Sequence, residues 1–415
     1  MGRERYQRGC VLRQVGAAPT ISRPHNSFTI RYLTCPPPPA RPALPSLLRA
    51  AAVLLCAALA ACRPTGPIVI GLAGPFGEPR GQSMKIGAEL AVTEINAAGG
   101  VNGRRLELDV QDDSAQAGRA VAVATTLHDD PRVVAVIGHL TSGAAIAAAD
   151  IYNGDPDPVV ALSPSASNPE LTTPGGYTFR VCATDLAHGT TLARFAIERL
   201  RARRAAVLYL NDDYGRGILG TFADEFRRLD GTIVAMDPVL PGAEDVAPYL
   251  EFLKGDGRVQ VLMVAGDRAT AELVLRAARS LGITLPVIGG DALSGIEADG
   301  ALAEGVYLTS SYLPDAPGSR NAAFLRAYAA AAGGQRPDHR GAGAYDAVYL
   351  IADAIRSAGT RRAAIRAALA EVGHSRPVFD GVTGRITFDD RGDVPDKTVL
   401  VARVRGGRIV LAANQ

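Results

Sequence analysis

Two uninterrupted apolar runs, each followed by a loop rich in glycine and serine, constrain the fold of this chain more than any other feature. The first run is Val133–Ile137 and the second is 159–162. Neither run contains a polar residue, which is typical of parallel strands that are buried on both faces. A stretch with helical character, 144–152, separates them. The segment therefore predicts two neighbouring strands of a parallel sheet.

The loops that follow these runs carry hydroxyl groups, with the sequences GHLTSG and SPSASN. Parallel strands end at the same edge of a sheet, and open α/β sheets bind their ligands at that edge. Helix N-termini at this edge present free backbone N–H groups, which suit an anionic group. The pattern therefore predicts a cradle for a carboxylate.

These loops also resemble the leucine/isoleucine/valine-binding proteins, the type I periplasmic solute-binding family that serves ABC importers. The resemblance is carried by GHLTSGAAIAAADIYN and SPSASNPELT, and by VIGLAGPFG, GAELAVTEINAAGGVNGRRLELDVQDD and LYLNDDYGRG. It extends over about residues 67–415. It implies a small molecule bound between two lobes, an ABC permease in the membrane as partner, and no cofactor.

Strands and helices alternate from residue 67 onward, and the alternation begins again near residue 183. This pattern predicts an α/β fold of two doubly wound, Rossmann-like lobes. The resemblance adds a three-crossing hinge and the later returns of the chain to each lobe. We therefore expect lobe 1 to contain 67–182 and 312–375, and lobe 2 to contain 183–311 and 376–415.

Residues 1–61 differ in composition from the rest and predict a disordered extension followed by a lipoprotein signal peptide. The first 43 or so residues lack apolar periodicity, as disordered segments do, and are either a genuine extension or a stretch upstream of the true start. A short apolar segment, 47–61, then leads into Leu-Ala-Ala-Cys, which matches the bacterial lipobox. We expect lipidation at Cys62 and an exported, membrane-anchored protein; the alternative is an ordinary cleavage site with an incidental cysteine.

The slight positive charge of the whole chain belongs to this leader. Of 44 basic and 42 acidic residues, eight and one respectively lie in 1–61, so the remainder has 36 and 41, a formal charge of −5. Nothing in this balance indicates nucleic-acid binding.

In the resembled family a free amino acid is held by its α-carboxylate and its α-ammonium. By position, the carboxylate would be bound by hydroxyl and N–H groups of the two loops: Thr141, Ser142, Ser165, Ala166 and Ser167. For the serines the alternative is capping, because Ser167 and Glu170 form a capping-box pattern. His139 lies at a strand end, where a structural, hydrogen-bonded role is favoured.

The ammonium group would be bound from lobe 2. Asp291 follows a strand and two glycines, where it is either the counter-charge or a turn residue. Tyr214 matches an aromatic residue that contacts ligand in the family, with packing on the hinge as the alternative. Arg80 and Asp267 stand where aliphatic-amino-acid binders have tyrosines. They indicate either a polar ligand side chain or a charged pair at the rim of the cleft.

The sequence leaves two classes of function open beyond transport. The same fold could sense a ligand and report to a receptor, and no residue separates that role from delivery to a permease. An enzyme is not expected, because the dinucleotide, phosphate-loop and nucleophile-elbow patterns are missing from the sequence. The six histidines also show no metal-ligand spacing.

Overall fold

A computed structural model describes residues 66–254, 257–315 and 319–412. The predicted extension, signal peptide and lipidated Cys62 lie in 1–65, outside the described residues. Within the described part of the chain, no helix is long and apolar enough to cross a membrane.

The first sheet has five strands, all parallel, in the order β2-β1-β3-β4-β5. These strands are β1 (Ile68–Gly74), β2 (Leu106–Asp112), β3 (Val133–Ile137), β4 (Ala161–Ser163) and β5 (Thr178–Arg180). The helices between them are α1 (Pro79–Ala97), α2 (Ala117–Asp129) and α3 (Ser142–Tyr152). The two apolar runs thus form adjacent parallel strands, as the sequence predicts.

The second sheet has seven strands in the order β14-β13-β10-β9-β8-β6-β7. Its parallel part comprises β6 (Arg204–Leu210), β7 (Thr232–Val239), β8 (Val261–Ala265), β9 (Val287–Gly289) and β10 (Tyr307–Ser310). Its helices are α4 (Asp185–Glu198), α5 (Asp213–Arg228), the short α6 (Ala247–Leu250) and α7 (Arg268–Ser280). The predicted α/β fold of two doubly wound lobes is confirmed.

The C-terminal part of the chain returns to each lobe in turn. Three helices return to the first sheet: α8 (Ser319–Ala331), α9 (His339–Ala358) and α10 (Arg362–Ala370). A hairpin of β11 (Phe379–Gly381) and β12 (Gly384–Ile386) follows. Two antiparallel strands, β13 (Leu400–Arg405) and β14 (Arg408–Leu411), then complete the second sheet.

The apolar periodicity of α1 explains how α9 packs on lobe 1. The stripe from Met84 to Ile95 is buried at every third or fourth residue, except that Val92 remains half-exposed. At the crossing, a Cβ on Gly87 would lie 2.0 Å from the carbonyl oxygen of Gly341. The two helices therefore approach so closely only because glycine occupies this position.

The chain enters lobe 2 for the last time later than expected. The side chains of Val382, Ile386, Phe388 and Val394 lie in the core of lobe 1. Residues from 376 onward were expected in lobe 2, a boundary implied by the resemblance and by no local pattern in the sequence. The structure moves the final crossing to the segment between Val394 and β13.

Candidate functional site

The loops after β3 and β4 form the lobe 1 wall of the cleft. Ser142 is the first residue of α3, and its Oγ accepts a hydrogen bond from the backbone N–H of Asn168 (3.3 Å). This bond ties the two predicted carboxylate loops together. Ser142 and Ser167 are buried, whereas Thr141 and Ser165 are half-exposed.

The hydroxyl of Ser167 has no hydrogen-bond partner although it is buried. The cap that the sequence suggested for Ser167 is made by Asn168, whose Oδ1 accepts from the N–H of Glu170 (2.8 Å). Among the described residues, the Ser167 hydroxyl lies near the Asp185 carboxylate, whose pKa it lowers, and it makes no close hydrogen bond. It is not held as a helix cap.

Ala166 contributes differently from the prediction. Its N–H donates to the hydroxyl of Ser163 (2.9 Å), and its carbonyl accepts from the buried guanidinium of Arg180 (3.0 Å). Since both backbone groups are occupied, Ala166 shapes the loop and does not offer an N–H to a carboxylate. Ser163, which the sequence analysis missed, also donates to the carbonyl of His139 (2.7 Å) and so joins the two loops from behind.

Asp291 and Tyr214 meet on the lobe 2 wall. Asp291 begins a short 3₁₀ turn directly after β9 and is 2% exposed. The hydroxyl of Tyr214 donates to Asp291 Oδ1 (3.1 Å), while Asp291 Oδ2 has no hydrogen-bond partner. The two residues predicted for the ammonium group thus lie together.

Three further residues, which sequence reasoning missed, surround Asp291. His188 of α4 places Nε2 3.7 Å from Asp291 Oδ2, and His339 of α9 places Nε2 3.6 Å from the same oxygen. Asp185, the first residue of α4, is fully buried, and its carboxylate makes no close hydrogen bond, although the Ser167 hydroxyl lies near enough to lower its pKa. His339 belongs to lobe 1 and the other residues to lobe 2, so the group spans the cleft. We call Asp185, His188, Tyr214, Asp291 and His339 the interlobe cluster.

Burial dominates the titration of the interlobe cluster. It raises the pKa of Asp185 to about 8; the nearby Ser167 hydroxyl opposes this shift and the charge of Asp291 adds to it. It lowers the pKa of His188, and with the charge of Arg340 it lowers the pKa of His339 to about 4. Asp185 is therefore largely protonated near neutral pH, and both histidines are neutral.

Asp291 behaves differently from Asp185. Burial opposes its ionisation, but positive charge on the two histidines and Arg340, with the Tyr214 hydrogen bond, lowers the pKa of Asp291 below its ordinary value. Asp291 loses its proton below the ordinary pKa of an aspartate and His339 has a pKa of about 4, so near pH 7 the carboxyl is ionised and the His339 imidazole is neutral. Asp291 is thus an ionised carboxylate with one unpaired oxygen, which suits a cationic group.

The lobes contact each other around the interlobe cluster. Asn168 of lobe 1 donates from Nδ2 to the backbone carbonyl of Asp213 in lobe 2 (2.7 Å). At another point, Arg80 Nη1 of lobe 1 lies 3.9 Å from Asp267 Oδ2 of lobe 2. The structure therefore holds the two walls in a closed arrangement.

A cavity of about 830 Å³ adjoins the interlobe cluster. It reaches the cluster at His339 and at Ala292, the neighbour of Asp291, and its walls include Arg80 and Asp267. The other predicted residues, from Thr141 to Ser167 and Tyr214, do not line this space. The cleft thus has a tight polar part and a wide part beside it. Among the described residues, no group of three or more potential metal ligands is placed to hold an ion.

Two doubly wound lobes with buried polar groups between them are typical of one class of protein. This class is the solute-binding proteins that bind a ligand in a cleft between two lobes. The family model of periplasmic binding proteins matches residues 67–408. This chain belongs to that family, and membership places it in an extracytoplasmic compartment.

Individual relatives agree with this assignment. The chain is 32% identical, over 339 residues, to the leucine-, isoleucine-, valine-, threonine- and alanine-binding protein of Pseudomonas aeruginosa, with 79% of this chain and 87% of that protein covered. It is similar in structure to the branched-chain amino acid transporter substrate-binding protein LivJ of Streptococcus pneumoniae, solved with isoleucine. That match has a TM-score of 0.74 and 30% identity, and covers 83% of this chain and 97% of that one.

A third relative shares the fold alone. It is an ABC transporter solute-binding protein from R. palustris, solved with benzoate, with a TM-score of 0.74 and 20% identity over 84% of this chain and 96% of that one.

Proposed function

We propose that this protein captures a free α-amino acid between its lobes and delivers it to an ABC importer. The observation that carries the proposal is a set of buried polar atoms, contributed by both lobes, that make no close hydrogen bond within the described part of the protein. They are Ser167 Oγ, both carboxylate oxygens of Asp185, His188 Nε2, Asp291 Oδ2 and His339 Nδ1. A buried polar atom without a partner costs about 1–3 kcal/mol, so such a group points to a ligand that completes it.

The two walls suit the two charged ends of an amino acid. The lobe 1 wall supplies hydroxyls at Ser142, Ser165 and Ser167 and the N-terminus of α3, which favour a carboxylate. The lobe 2 wall supplies Asp291 and Asp185, which favour an ammonium. Four or five charge-assisted hydrogen bonds of roughly 1.5–3 kcal/mol each exceed the cost of association by enough for micromolar binding.

Ligand binding and closure of the lobes are coupled, because the binding groups are divided between the two lobes. The carboxylate site lies on one lobe and the ammonium site on the other, so a single zwitterion contacts both only when the lobes are closed. A ligand that binds one conformation better shifts the population toward it. The closed form would then be the one that the permease receives.

The proposal includes an ABC permease as partner, supported by the transporter relatives. The proposal further includes a lipid anchor attached to Cys62, which the lipobox sequence supports. Two or more acyl chains hold a protein on a membrane firmly, whereas one chain binds only marginally. Replacement of Cys62 by serine should release the protein from membranes. Persistent membrane association of that variant would exclude the anchor.

Titration calorimetry with the twenty amino acids tests ligand capture. We expect at least one micromolar ligand, and about tenfold weaker binding in Ser167→Ala, because a charge-assisted bond from an otherwise unpartnered hydroxyl is lost. Thr125→Ala is the matched control, since the Thr125 hydroxyl is bonded within α2 on the exposed surface. No heat with any amino acid would contradict the proposal.

A further inference from the structure

The wide part of the cleft is charged, and its volume of about 830 Å³ lies in the upper range of small-molecule sites. Its walls include five arginines and five aspartates or glutamates. Most of these charges are paired within one lobe, as Arg268 is with Asp299 (2.6 Å) and Arg340 with Asp338 (2.8 Å). The pair formed by Arg80 and Asp267 differs, because it spans the two lobes and is loose.

The remaining contacts of Arg80 and Asp267 leave one side of each group open. Arg80 uses Nε to bind Glu78 Oε2 (2.6 Å), while its Nη1 is 3.9 Å from Asp267 Oδ2. Asp267 uses Oδ1 to cap α7, accepting from the N–H (3.0 Å) and the hydroxyl (2.9 Å) of Thr270. A guanidinium edge and a carboxylate oxygen therefore face each other across a gap longer than a hydrogen bond.

Four kinds of ligand side chain would interact differently with Arg80 and Asp267. An aliphatic side chain would displace water from both charges without replacing its hydrogen bonds, which is costly. A carboxylate would pair with Arg80 but repel Asp267 and Glu78, and an ammonium would do the reverse. A neutral group that both accepts and donates satisfies Arg80 and Asp267 together.

A second polar atom on the same cavity wall is unpartnered. The side chain of His339 is 2% exposed and lines the cavity, and its Nδ1 makes no hydrogen bond. His339 Nε2 is already near Ser165 Oγ (3.3 Å) and Asp291. Sites built to hydrogen-bond a substrate group reject analogues that lack it, because their own polar atoms are then left unpaired.

We infer that the ligand is an amino acid whose side chain ends in a carboxamide or ureido group, recognised by Arg80 and Asp267. This inference rests on the proposed capture of an amino acid and names its class. The amide oxygen accepts from the Arg80 guanidinium, and the amide N–H donates to Asp267 Oδ2. Aliphatic amino acids occupy the same site more weakly.

Titration calorimetry of the full-length protein with four probes tests the inference: L-glutamine, L-citrulline, L-norleucine and L-glutamate. Glutamine or citrulline should bind at least about tenfold more tightly than norleucine and glutamate, the difference that one charge-assisted hydrogen bond provides. Arg80→Met and Asp267→Asn should each reduce the preference over norleucine about fivefold or more. Asparagine caps a helix as well as aspartate does, so Asp267→Asn retains the fold.

Lys85→Met is the matched control, because Lys85 is also a cation of α1 but does not line the cavity. It should leave the preference unchanged. Norleucine binding as tightly as both amides would overturn the inference while the proposed function stood, as would an amide preference that both variants retain. Failure of every amino acid to bind would instead overturn the proposed function and the inference with it.

Discussion

Two buried groups of aspartate, histidine and tyrosine differ in how completely their polar atoms are paired. Inside lobe 1, His139 Nδ1 lies 2.5 Å from Asp113 Oδ2, and His139 Nε2 lies 3.0 Å from the hydroxyl of Tyr152. All three side chains are buried. The structural role favoured for His139 from the sequence is thereby confirmed, and we call these three residues the inner cluster.

The interlobe cluster has the same residue types but larger gaps. Both histidines lie more than 3.5 Å from the Asp291 carboxylate, and each has a ring nitrogen without a partner. Buried polar groups without hydrogen-bond partners destabilise the folded state. Their presence in a protein therefore points to a functional role, such as ligand binding. We therefore propose that the inner cluster stabilises lobe 1, whereas the interlobe cluster binds the ligand.

The largest expected effect of this difference is on binding. Asp291→Ala should weaken amino-acid binding by at least about 100-fold, because the ionised partner of the ammonium is lost from a buried site. The melting temperature should stay near that of the wild type, since Asp291 Oδ2 makes no hydrogen bond in the free protein and removal of the buried charge offsets the loss of the Tyr214 bond to Oδ1. Calorimetry and a thermal melt measure the two quantities. Unchanged affinity would remove Asp291 from the site.

The inner cluster should show the opposite behaviour. Asp113→Ala leaves the buried Nδ1 of His139 unpaired and should cost about 2–4 kcal/mol of stability, given the loss of a short bond between buried groups. Denaturant unfolding measures this change. The dissociation constant of the folded variant should remain within about threefold, because Asp113 is fully buried inside lobe 1 and does not line the cavity. A large loss of affinity at normal stability would contradict the distinction between the clusters.

Asp185→Asn should weaken binding about tenfold and yet stabilise the free protein at pH 8, since it removes a charge whose burial is costly. Burial raises the pKa of Asp185 from its ordinary value of 3.8 to about 8, so the folded state holds a proton that the unfolded state releases. The stability from this group is complete below about pH 4 and is lost as the pH rises through 8. Asp185→Asn should therefore flatten the decline of stability between these values.

The same proton links ligand affinity to pH. A ligand ammonium favours the ionised form of Asp185, so binding should release a proton, and the wild-type dissociation constant should fall as the pH rises from 6 to 8. Calorimetry in buffers of different ionisation enthalpy counts the released proton. An equal release in Asp185→Asn would assign it to another group.

The smallest effect is expected for Tyr214→Phe. This change removes the hydroxyl that donates to Asp291 Oδ1 (3.1 Å) but keeps the ring, and should weaken binding about fivefold, equivalent to one hydrogen bond of about 1 kcal/mol. Tyr249→Phe serves as the control, because Tyr249 is exposed on α6 of the same lobe. Equal affinities of the two variants would place Tyr214 outside the site.

The residues of the lobe 1 wall could be predicted from the sequence because they follow predicted strands directly along the chain. Each apolar strand is followed at once by its hydroxyl loop, and parallel pairing of β3 with β4 brings the two loops together. The position of Asp291 at the cleft could be predicted for the same reason, since Asp291 lies just after the end of β9. The hydrogen bond from the Ala166 N–H to the Ser163 hydroxyl could not be predicted, because the loop conformation decides which N–H groups remain free.

The rest of the interlobe cluster depends on long-range topology. Asp185 and His188 follow the first crossing between lobes, and His339 arrives with a helix that returns to lobe 1. In sequence, Asp185 is like any acidic residue at a helix start, and His339 is an ordinary residue beside the capping Asp338. Only the position of the crossings brings them to Asp291, and a single sequence gives little information about those crossings.

The most direct test of the central claim is a thermal-shift comparison of L-amino acids with the same molecules lacking the α-amino group. If the interlobe cluster binds an ammonium, at least one amino acid should stabilise the protein by about 2.7 kcal/mol at a hundred times its dissociation constant. Its des-amino counterpart should produce no shift at the same concentration. Stabilisation by simple carboxylates such as benzoate, with none by amino acids, would contradict the account.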